Sequence, residues 1–537
     1  MWVRFLPGAQ KVYSPNKLMI KKEPIDNTFL IPPEVSYVTK TLEKGGFEAY
    51  LVGGCVRDIM LHKKPKDWDV TTNATPEQIQ SVFPDSFYEN TFGTVGVKSR
   101  ALNAEEDASE TKISTDPTLE IIEVTPYRTE TGYSDNRRPD AVAFAKNLSD
   151  DLRRRDFTIN ALALKIEPMA GDSTGFVHKG HLTDLYKGQD DLVAKVIRTV
   201  GSADERFSED ALRMLRAVRF AAELGFEIEA QTKAGIVNNA KLLEKISAER
   251  IRDEFLKIIS SDQPMLGLQL AHDLGILKYI VPELEEGIGT EQNQAHAFDV
   301  WEHLMRTEQH SADKKFSLRV RLAAIFHDIG KPKSRRKDPV TGQWTFYGHE
   351  VIGARMTEKI LTRLKFPKKL ADEVVKLVRW HMFFSDTEQI SLSAVRRMVA
   401  NVGSDMVWDL MNTRECDRIG TGRPKANPYR LRKYKAMVEM VMRDPVSVGM
   451  LKIDGKRLME IIKMSPGPRV GFILHALLEE VLENPKLNTA DYLEREAHVL
   501  AELSDEELKK RGEQAKNRKE AEEEKMLKEI TDKYHVE

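Results

Sequence analysis

The chain has 537 residues, 41% hydrophobic and 31% charged, which is enough to bury cores and long enough for three or more domains. A net charge of −2 excludes a uniformly basic surface for nucleic acid, and two cysteines exclude a disulfide scaffold and favour a reducing, cytoplasmic location. The sequence contains no run of about 18 apolar residues, so no membrane span is predicted, and the N-terminus lacks the pattern of a signal peptide.

The predicted elements divide the chain into a mixed first part and a helical remainder. Residues 1–33 are interpreted as an N-terminal extension. A helix is predicted for PPEVSYVTKTLEKGG, because proline stands at its start and glycines follow its end. Strands are predicted at EAYLVGG, DWDVTT, GTVGVKS and LEIIEVTPYR, with an acidic insertion at residues 101–118 before the last. From about residue 205 the pattern is helical, and residues 505–537 are mostly charged.

Two aspartates, Asp67 and Asp69, follow a strand and a glycine turn. On a strand, alternate residues share a face, so these two carboxylates would lie side by side and repel each other unless a cation separates them. Oxygen ligands favour Mg²⁺, which usually takes substrate phosphates as further ligands. Gly53 and Gly54 would let the backbone turn tightly against a phosphate. A solvated strand end after a glycine turn would have the same sequence, so the pair alone does not decide.

A third carboxylate and a basic motif strengthen the functional interpretation. Glu123 lies on a predicted strand of its own, and three acids on neighbouring strands could hold two Mg²⁺ ions. Such a pair of ions would activate an attacking hydroxyl and stabilise a leaving pyrophosphate. In DDLRRRDFTINALAL, the three arginines at 153–155 suit a triphosphate or an RNA backbone. The alternative is a basic helix start that pairs with its own acids.

A series of motifs gives a family resemblance. In order they are LVGGCVRD, KDWDVTTNATPEQ, YRTETGYSDNRRPDAVAF, DLRRRDFTINALAL, DLYKGQDDLVAKVIRTVG and RFSEDALRMLRAVRFAAELGF. Together they resemble the class II tRNA nucleotidyltransferases, the CCA-adding enzymes, with bacterial poly(A) polymerases as close relatives. The resemblance implies an α+β fold, with a small mixed-sheet nucleotidyltransferase head before a long helical neck, body and tail. The implied domains are a head at 34–165, a neck at 166–265, an HD-type helical domain at 266–430 and a helical body at 431–504.

The same resemblance implies partners, a cofactor and site residues. The partners are the tRNA 3′ end, CTP and ATP, and the cofactor is Mg²⁺. Catalysis is assigned to Asp67, Asp69 and Glu123, with the metal on the two aspartates. The nucleotide-binding residues implied are Gly53, Gly54, Arg57, Arg154, Arg155, Asp156, Asn160, Asp210, Arg213, Arg216 and Arg219. The motif at 184–198 is implied to be a hinge, residues 128–144 a mobile loop, and Glu249, Arg250 and Glu254 helix packing.

The segment EDALR has a chemistry of its own. If it is helical, Asp210 and Arg213 lie on one face. Aspartate only accepts hydrogen bonds and arginine only donates them. Cytosine and adenine both present an amino donor beside a ring acceptor, whereas uracil and guanine present the reverse. A fixed Asp/Arg pair would therefore admit C and A and reject U and G, unless it is an ordinary surface ion pair.

A second site is predicted further along the chain. An HDIGKP motif follows an apolar helical run, and imidazole with carboxylate donors suits Ni²⁺, Mn²⁺, Fe or Zn²⁺. The pattern resembles HD-domain phosphohydrolases and implies phosphatase, 2′-nucleotidase or 2′,3′-cyclic phosphodiesterase activity, with Lys331 and Arg335 available for a phosphate. The implied ligands are His303, His327, Asp328 and Asp417, with His349 and His381 as the extra histidines of binuclear variants.

Two alternatives stay open. The first is a poly(A) polymerase with the same head. The second is an HD phosphohydrolase whose head is a non-catalytic RNA-binding module, against which the intact carboxylates argue. The sequence does not predict an oligomeric state.

Overall fold

The computed structural model describes residues 27–88, 93–98, 116–131, 141–170, 176–293, 297–383 and 390–511. The chain forms two compact units. The first contains the described residues up to 131 together with 141–194, and the second contains the described residues from 195 onward.

The first unit combines ten strands with five helices. Its strands are β1 (Thr28–Leu30), β2 (Ala49–Val52), β3 (Asp69–Thr72), β4 (Ser86–Tyr88), β5 (Val95–Lys98), β6 (Ile121–Pro126), β7 (Arg128–Thr131), β8 (Ala141–Phe144), β9 (Leu162–Pro168) and β10 (Val177–Asp184). Its helices are α1 (Pro33–Lys44), α2 (Gly54–Met60), α3 (Pro76–Val82), α4 (Leu148–Arg153) and α5 (Gly188–Ala194).

Eight of these strands form one mixed sheet in the order β1-β10-β9-β2-β3-β6-β5-β4. The neighbouring strands β3 and β6 are parallel, and the other pairs in the sheet are antiparallel. Burial alternates along β6, with Ile122 and Val124 buried and Glu123 half-buried between them. This period of two gives the strand one apolar face for the core and one face that carries Glu123.

The sequence predicted this unit in part. The four predicted strands and the first helix are confirmed, and α1 has Pro33 at its first position and Gly45 after its end. The pair β9 and β10 was not predicted. The sheet also extends beyond the expected head of 34–165, because β1 and β10 pair with each other at its edge. The ends of the predicted mobile loop form the hairpin of β7 and β8, while residues 132–140 lie outside the described residues.

The second unit is helical apart from four strands of two residues each, β11 (Val196–Ile197), β12 (Glu227–Ile228), β13 (Arg336–Lys337) and β14 (Trp344–Thr345). Its helices up to residue 334 are α6 (Ala203–Glu209), α7 (Leu212–Leu224), α8 (Ala230–Asn239), α9 (Ala248–Ser260), α10 (Pro264–Asp273), α11 (Pro282–Glu285), α12 (Val300–Asp313), α13 (Leu318–Phe326) and α14 (Lys331–Ser334). The later helices are α15 (His349–Arg363), α16 (Lys368–Trp380), α17 (Leu392–Val402), α18 (Val407–Gly420), α19 (Tyr429–Val441), α20 (Gly455–Ile462), α21 (Pro468–Glu483) and α22 (Ala490–Ala501).

Apolar stripes explain how these helices pack. In α16, for example, Val374, Leu377 and Val378 are buried at the spacing of one helical face. Helices α17 to α22 share one apolar core, which also takes in Leu508 from the start of the charged segment at 505–537. No helix within the described residues is long and apolar enough to cross a membrane. Residues 101–115 of the predicted insertion, the first 26 residues and residues 512–537 lie outside the described residues.

Candidate functional sites

The first candidate site lies where β3 and β6 run side by side. Asp69 begins β3 and is the direct partner of Glu123 in the parallel register. Trp68 and Val70 are buried, whereas Asp69 is half-buried and Asp67 is exposed. Asp67 was predicted to lie on the same strand as Asp69, and this is wrong, because the strand begins at Asp69. Asp69 and Glu123 thus lie side by side on neighbouring strands.

The glycine turn lies against this carboxylate edge. Gly53 has a φ of +73°, which favours glycine, and a Cβ there would lie 3.0 Å from Nη1 of Arg155 and 3.5 Å from Oδ2 of Asp69. The glycine turn, Arg155 of the basic motif and Asp69 therefore converge. Next to them, burial raises the pKa of the Cys55 thiol to about 12, so this cysteine is no thiolate nucleophile.

Buried ion pairs fix the basic motif. Nη2 of Arg154 donates to Asp151 at 2.6 Å, and Nη2 of Arg155 donates to the other oxygen of Asp151 at 3.0 Å. Burial opposes ionisation of Asp151, but Arg155 and Arg154 outweigh it and lower the pKa of its carboxyl group. The alternative interpretation, a basic segment paired with its own acid, thus describes part of the arrangement. Arg155 additionally reaches the Gly53 turn.

A second buried chain of polar contacts links α2 to the segment after α4. Nη1 of Arg57 donates to Oδ1 of Asn160 at 2.9 Å, and Nδ2 of Asn160 donates to Asp156 at 3.2 Å. Asp156 also accepts from the backbone N–H of Phe157 at 2.9 Å. These contacts fix the side chains of three predicted nucleotide-binding residues, Arg57, Asp156 and Asn160, relative to one another.

The carboxylates fit the donor chemistry of Mg²⁺ without forming a closed cage. Among the described residues, Asp67, Asp69 and Glu123 do not form a group whose ligand atoms all lie within 4.8 Å of one another. Mg²⁺ is commonly held by one or two carboxylates with waters and substrate phosphates completing its shell. An open set of acids beside a glycine turn and an arginine agrees with that mode.

The base-selection residues have other partners than the sequence suggested. Asp210 is not helical but lies in extended backbone (φ −139°, ψ 104°) between α6 and α7, so the predicted shared helical face is wrong. Its two oxygens accept from Arg250, at 3.2 Å from Nη1 and 2.6 Å from Nη2, and one also accepts from the N–H of Leu212 at 3.1 Å. Arg213 instead pairs with Glu209.

Arg250 was interpreted from the sequence as helix packing only. The pairing of Arg250 with Asp210 spans 40 residues, and no local spacing indicates it. Arg219 is buried, lies 3.1 Å from Oε2 of Glu254 and stacks on Phe220 at 4.2 Å. The guanidinium of Arg216 lies 5.5 Å from the same ring. Arg219 thus ties α7 to α9, and Arg216 contacts a ring on its own helix. Asp210 and Arg213 lie at the break between α6 and α7.

The second candidate site collects six buried side chains from five helical segments. His303 lies on α12, His327 and Asp328 follow α13, His349 begins α15, His381 follows α16, and Asp417 lies on α18. They form two groups with ligand atoms within 4.8 Å: His303, His327, Asp328 and Asp417; and Asp328, His349 and His381. The structure thus brings together all six residues predicted from the sequence.

Asp328 is the shared member of both groups. Its Oδ2 lies 3.0 Å from Nε2 of His303 and 3.2 Å from Nε2 of His327, while its Oδ1 lies 3.2 Å from Nε2 of His349 and 3.5 Å from Nε2 of His381. Each carboxylate oxygen therefore faces one histidine pair. This geometry fits two cations that share one carboxylate.

Backbone carbonyls set the orientation of three imidazoles. Nδ1 of His327 lies 2.9 Å from the Ala324 carbonyl, Nδ1 of His349 2.6 Å from that of Phe346, and Nδ1 of His381 2.7 Å from that of Val378. A proton on Nδ1 leaves the Nε2 lone pair facing Asp328 and the other rings, which is the arrangement of a metal-ligating histidine.

Electrostatics agree with cation binding. Burial lowers the pKa of His381 to about 4, which keeps that imidazole neutral. Burial opposes ionisation of Asp328 and Asp417, but the basic groups around them hold the pKa of each well below its usual range. Burial alone would lower the pKa of His327, but Asp328 and Asp417 outweigh it and raise that pKa to about 10. Imidazoles beside ionised carboxylates suit a borderline divalent metal, and the cluster alone does not choose among Ni²⁺, Mn²⁺, Fe and Zn²⁺.

A cavity of about 300 Å³ opens onto this cluster. It is lined by ligands of both groups, by aromatic residues and by three arginines that the sequence analysis missed, Arg414, Arg418 and Arg423. The spacing of Arg414, Arg418 and Thr421 around Asp417 on α18 could have indicated a shared helical face. Lys331, predicted to receive a phosphate, is buried, and its Nζ lies 2.6 Å from Asp328 and 2.6 Å from Gln292.

Three family descriptions match the chain in order. Residues 49–198 match the "Poly A polymerase head domain", residues 225–288 the "Probable RNA and SrmB- binding site of polymerase A", and residues 294–406 the "HD domain". The first covers the carboxylate edge and the basic motif. The third covers the histidines and Asp328 but ends before Asp417.

Curated relatives and solved structures agree with these matches. A CCA-adding enzyme of Leuconostoc mesenteroides is 40% identical over 84% of this chain and 93% of its own length. One of Lactobacillus delbrueckii subsp. bulgaricus is 45% identical over 41% of this chain, which spans only 48% of that relative. The Bacillus stearothermophilus CCA-adding enzyme in complex with CTP has a TM-score of 0.61 at 25% identity, over 87% of this chain and 97% of that one.

Proposed function

The chain belongs to the family of CCA-adding enzymes, and on that premise we propose that it adds CCA to the 3′ end of tRNA from CTP and ATP without a nucleic-acid template. The observation that carries the proposal is the convergence of Asp69, Gly53 and Arg155 beside the Asp69–Glu123 pair. That edge combines acids for a metal with a tight turn and a cation for phosphates.

The proposed chemistry is transfer of a nucleotide to a hydroxyl. The tRNA 3′-hydroxyl attacks the α-phosphorus of the incoming nucleotide and pyrophosphate leaves. Asp67 and Asp69 would hold Mg²⁺, whose charge stabilises the triphosphate and the leaving pyrophosphate. Arg155 lies beside the turn that would approach the phosphates, and Asp151 fixes its guanidinium. Glu123 supports the same edge from the neighbouring strand.

Base selection is assigned to the second unit. Asp210 offers only acceptors and Arg213 only donors, which matches the amino donor and ring acceptor that cytosine and adenine share. Uracil and guanine would leave buried polar groups unpaired, which is the costly outcome that gives such sites their selectivity. Arg250 would hold the Asp210 carboxylate in one orientation for this purpose.

A simple assay distinguishes CCA addition from the rival activity, poly(A) synthesis. A tRNA that lacks its terminal CCA is incubated with CTP alone, ATP alone, or both, and the products are resolved on a sequencing gel. The proposal expects two additions from CTP alone and a third from the mixture. Long extension with ATP and none with CTP would establish the rival.

The carboxylate assignment has a direct test. Asp67→Ala and Asp69→Ala should each abolish C and A addition alike, because both additions use the same acids. Binding of CTP and ATP without Mg²⁺, measured by calorimetry, should change little. Substantial addition by either variant would contradict the assignment.

As a second function we propose metal-dependent hydrolysis of phosphoesters at the His/Asp cluster. The observation that favours it is the pair of ligand groups sharing Asp328 beside an open cavity. The six residues would hold one or two divalent cations, which supply a Lewis acid to the phosphoryl group. The cavity gives a substrate access to both groups.

Two assays test this second function. One measures release of inorganic phosphate from nucleoside monophosphates, the other measures opening of 2′,3′-cyclic nucleotides, and each is run with Mn²⁺, Ni²⁺ and Zn²⁺ in turn. His349→Ala should lower the rate and leave CCA addition unchanged. If no metal supports hydrolysis of any of these substrates, the cluster is a structural site only.

A further inference from the structure

The cavity at the His/Asp cluster has two chemically different sides. One side is formed by the candidate ligands Asp328, His349, His381 and Asp417. The other carries guanidinium groups from α18 and the loop after it, namely Arg414, Arg418 and Arg423. When the reacting phosphate of a substrate lies at the candidate ligands, the arginine side of the cavity still has no anion bound to it.

The arginines are not all engaged by carboxylates. Arg414 pairs with Asp417. Arg418 donates from Nε to the carbonyl of Lys425 at 3.3 Å, and within the described ranges neither Arg418 nor Arg423 forms an ion pair with an acid. Residues 414–435 contain eight basic and two acidic residues, and the second acid, Glu415, pairs with Lys435. Guanidinium groups held together in this way are a typical binding site for phosphate.

Aromatic rings complete the cavity wall. Tyr347 is 67% exposed although it lines the cavity, and Trp344 is half-buried beside it. Arg335 stacks on the Trp344 ring at 3.7 Å. An exposed ring within a basic pocket is the common platform for a nucleobase, whose stacking is tolerant of base identity.

We propose that this cavity takes a nucleotide with two phosphates, cleaving one at the His/Asp cluster and binding the other at Arg418 and Arg423. The inference rests on the proposed phosphohydrolase function and adds a substrate class to it. Hydrolysis consumes one water: the P–O ester bond breaks, the departing alcohol oxygen takes a proton, and inorganic phosphate is released. The second phosphate stays intact and serves only for recognition.

Kinetics with matched substrates test the proposal. Adenosine 3′,5′-bisphosphate should be hydrolysed with a KM about 10- to 100-fold lower than that of adenosine 3′-monophosphate, as expected for a charge-assisted contact. Arg418→Ala with Arg423→Ala should remove that difference and leave kcat and the monophosphate KM nearly unchanged. Arg423 is exposed, so Arg423→Ala alone repeats the test without a risk to folding. Lys425→Ala, an exposed change in the same segment that does not line the cavity, is the control.

Equilibrium binding gives a readout that does not depend on turnover. Calorimetric titration of adenosine 3′,5′-bisphosphate into the full chain in EDTA should show binding that the double arginine variant loses and the Lys425 variant keeps. Equal KM values for the two substrates, or arginine variants that bind like the parent, would overturn the second-phosphate site while the phosphohydrolase proposal stands. Hydrolysis of neither substrate would overturn the phosphohydrolase proposal itself.

Discussion

At the scale of single residues, the orientation of Asp210 depends on a side chain far along the sequence. Arg250 donates to both of its oxygens, and the N–H of Leu212 donates to one. A carboxylate bound in this way cannot rotate freely, so its acceptors point in one direction. A rigid acceptor is what discrimination between an amino group and a carbonyl requires.

Arg250→Ala should therefore relax base choice. Loss of the two bonds lets the Asp210 carboxylate turn, and we expect UTP incorporation to rise about 10-fold or more relative to CTP, the value of one charge-assisted contact. Asp210→Ala should have the same or a larger effect. Single-nucleotide addition to tRNA lacking CCA measures both. Lys257→Ala on α9, which removes only a half-exposed pair with Glu254, is the control. Unchanged rejection of U by Arg250→Ala would contradict the orienting role.

A buried acid on α12 makes stability depend on pH. Burial raises the pKa of Glu308 well above its ordinary value of 4.5, although Ser311 donates a hydrogen bond to it and Arg321 is near. The unfolded chain releases this proton near pH 4.5, whereas the folded chain retains it. Between the two pKa values the folded state binds more protons, so the free energy of unfolding falls as pH rises through that window.

Glu308→Gln removes this titration and should change the pH profile. The difference in melting temperature, variant minus parent, should be larger at about pH 8 than at about pH 5, because only the parent has a buried acid to ionise. Scanning calorimetry at both pH values measures it. Glu302→Gln, a substitution of a half-exposed acid on the same helix, should show no such trend. A constant difference between Glu308→Gln and its parent would mean that Glu308 titrates normally.

Sequence reasoning reached some residues and missed others for a physical reason. Asp69 and Glu123 could each be placed on a strand in advance, because both stand in segments with clear alternation. The Asp210–Arg250 contact could not, since it joins a helix break to a later helix and leaves no trace in local spacing. The same holds for Arg423, which reaches the cavity from a loop.

At the scale of elements, α12 and α18 approach closely enough to exclude a side chain between them. A Cβ on Gly420 would clash with the Thr307 hydroxyl and lie 2.8 Å from the carbonyl of His303. This contact sets the distance between His303 on α12 and Asp417 on α18. Packing of two helices thus determines the geometry of the metal ligands.

Gly420→Ala should push these helices apart. Overpacking of this kind costs about 1–3 kcal/mol, and the displaced His303 should lower affinity for a divalent metal. Calorimetric melting and titration with Mn²⁺ measure the two effects. Gly471→Ala is the matched control, because no atom beyond its own helix backbone and chain neighbours lies within 4 Å of its Cβ position. Alanine there also favours the helix by about 0.5–1 kcal/mol. If Gly420→Ala melted and bound metal like the parent, the close approach would not govern the site.

Element types were easier to predict than their partners. Alternation located β2, β3, β5 and β6, and proline and glycine bounded α1. The parallel pairing of β3 with β6 could not be deduced, because the acidic insertion separates the two strands along the chain. The edge strand β1 was included in the extension, since three residues carry too little pattern to be recognised.

At the scale of the whole molecule, the two proposed activities use different donors. The first unit offers carboxylates alone at Asp69 and Glu123, a set suited to Mg²⁺. The His/Asp cluster mixes imidazole with carboxylate and suits a borderline metal. One cation therefore need not serve both sites, and loss of one site should leave the chemistry of the other intact.

His327→Ala combined with Asp328→Ala tests this independence. The double change removes two ligands of the first group, and one of them, Asp328, also belongs to the second group, so metal-dependent phosphate release should vanish. CCA addition should stay within about twofold of the parent, the scatter expected of uncoupled sites. Circular dichroism must show a folded variant, and metal analysis must show that the cluster no longer retains metal. A folded variant without that metal that had also lost CCA addition would mean that the cluster takes part in handling tRNA and is no separate hydrolase.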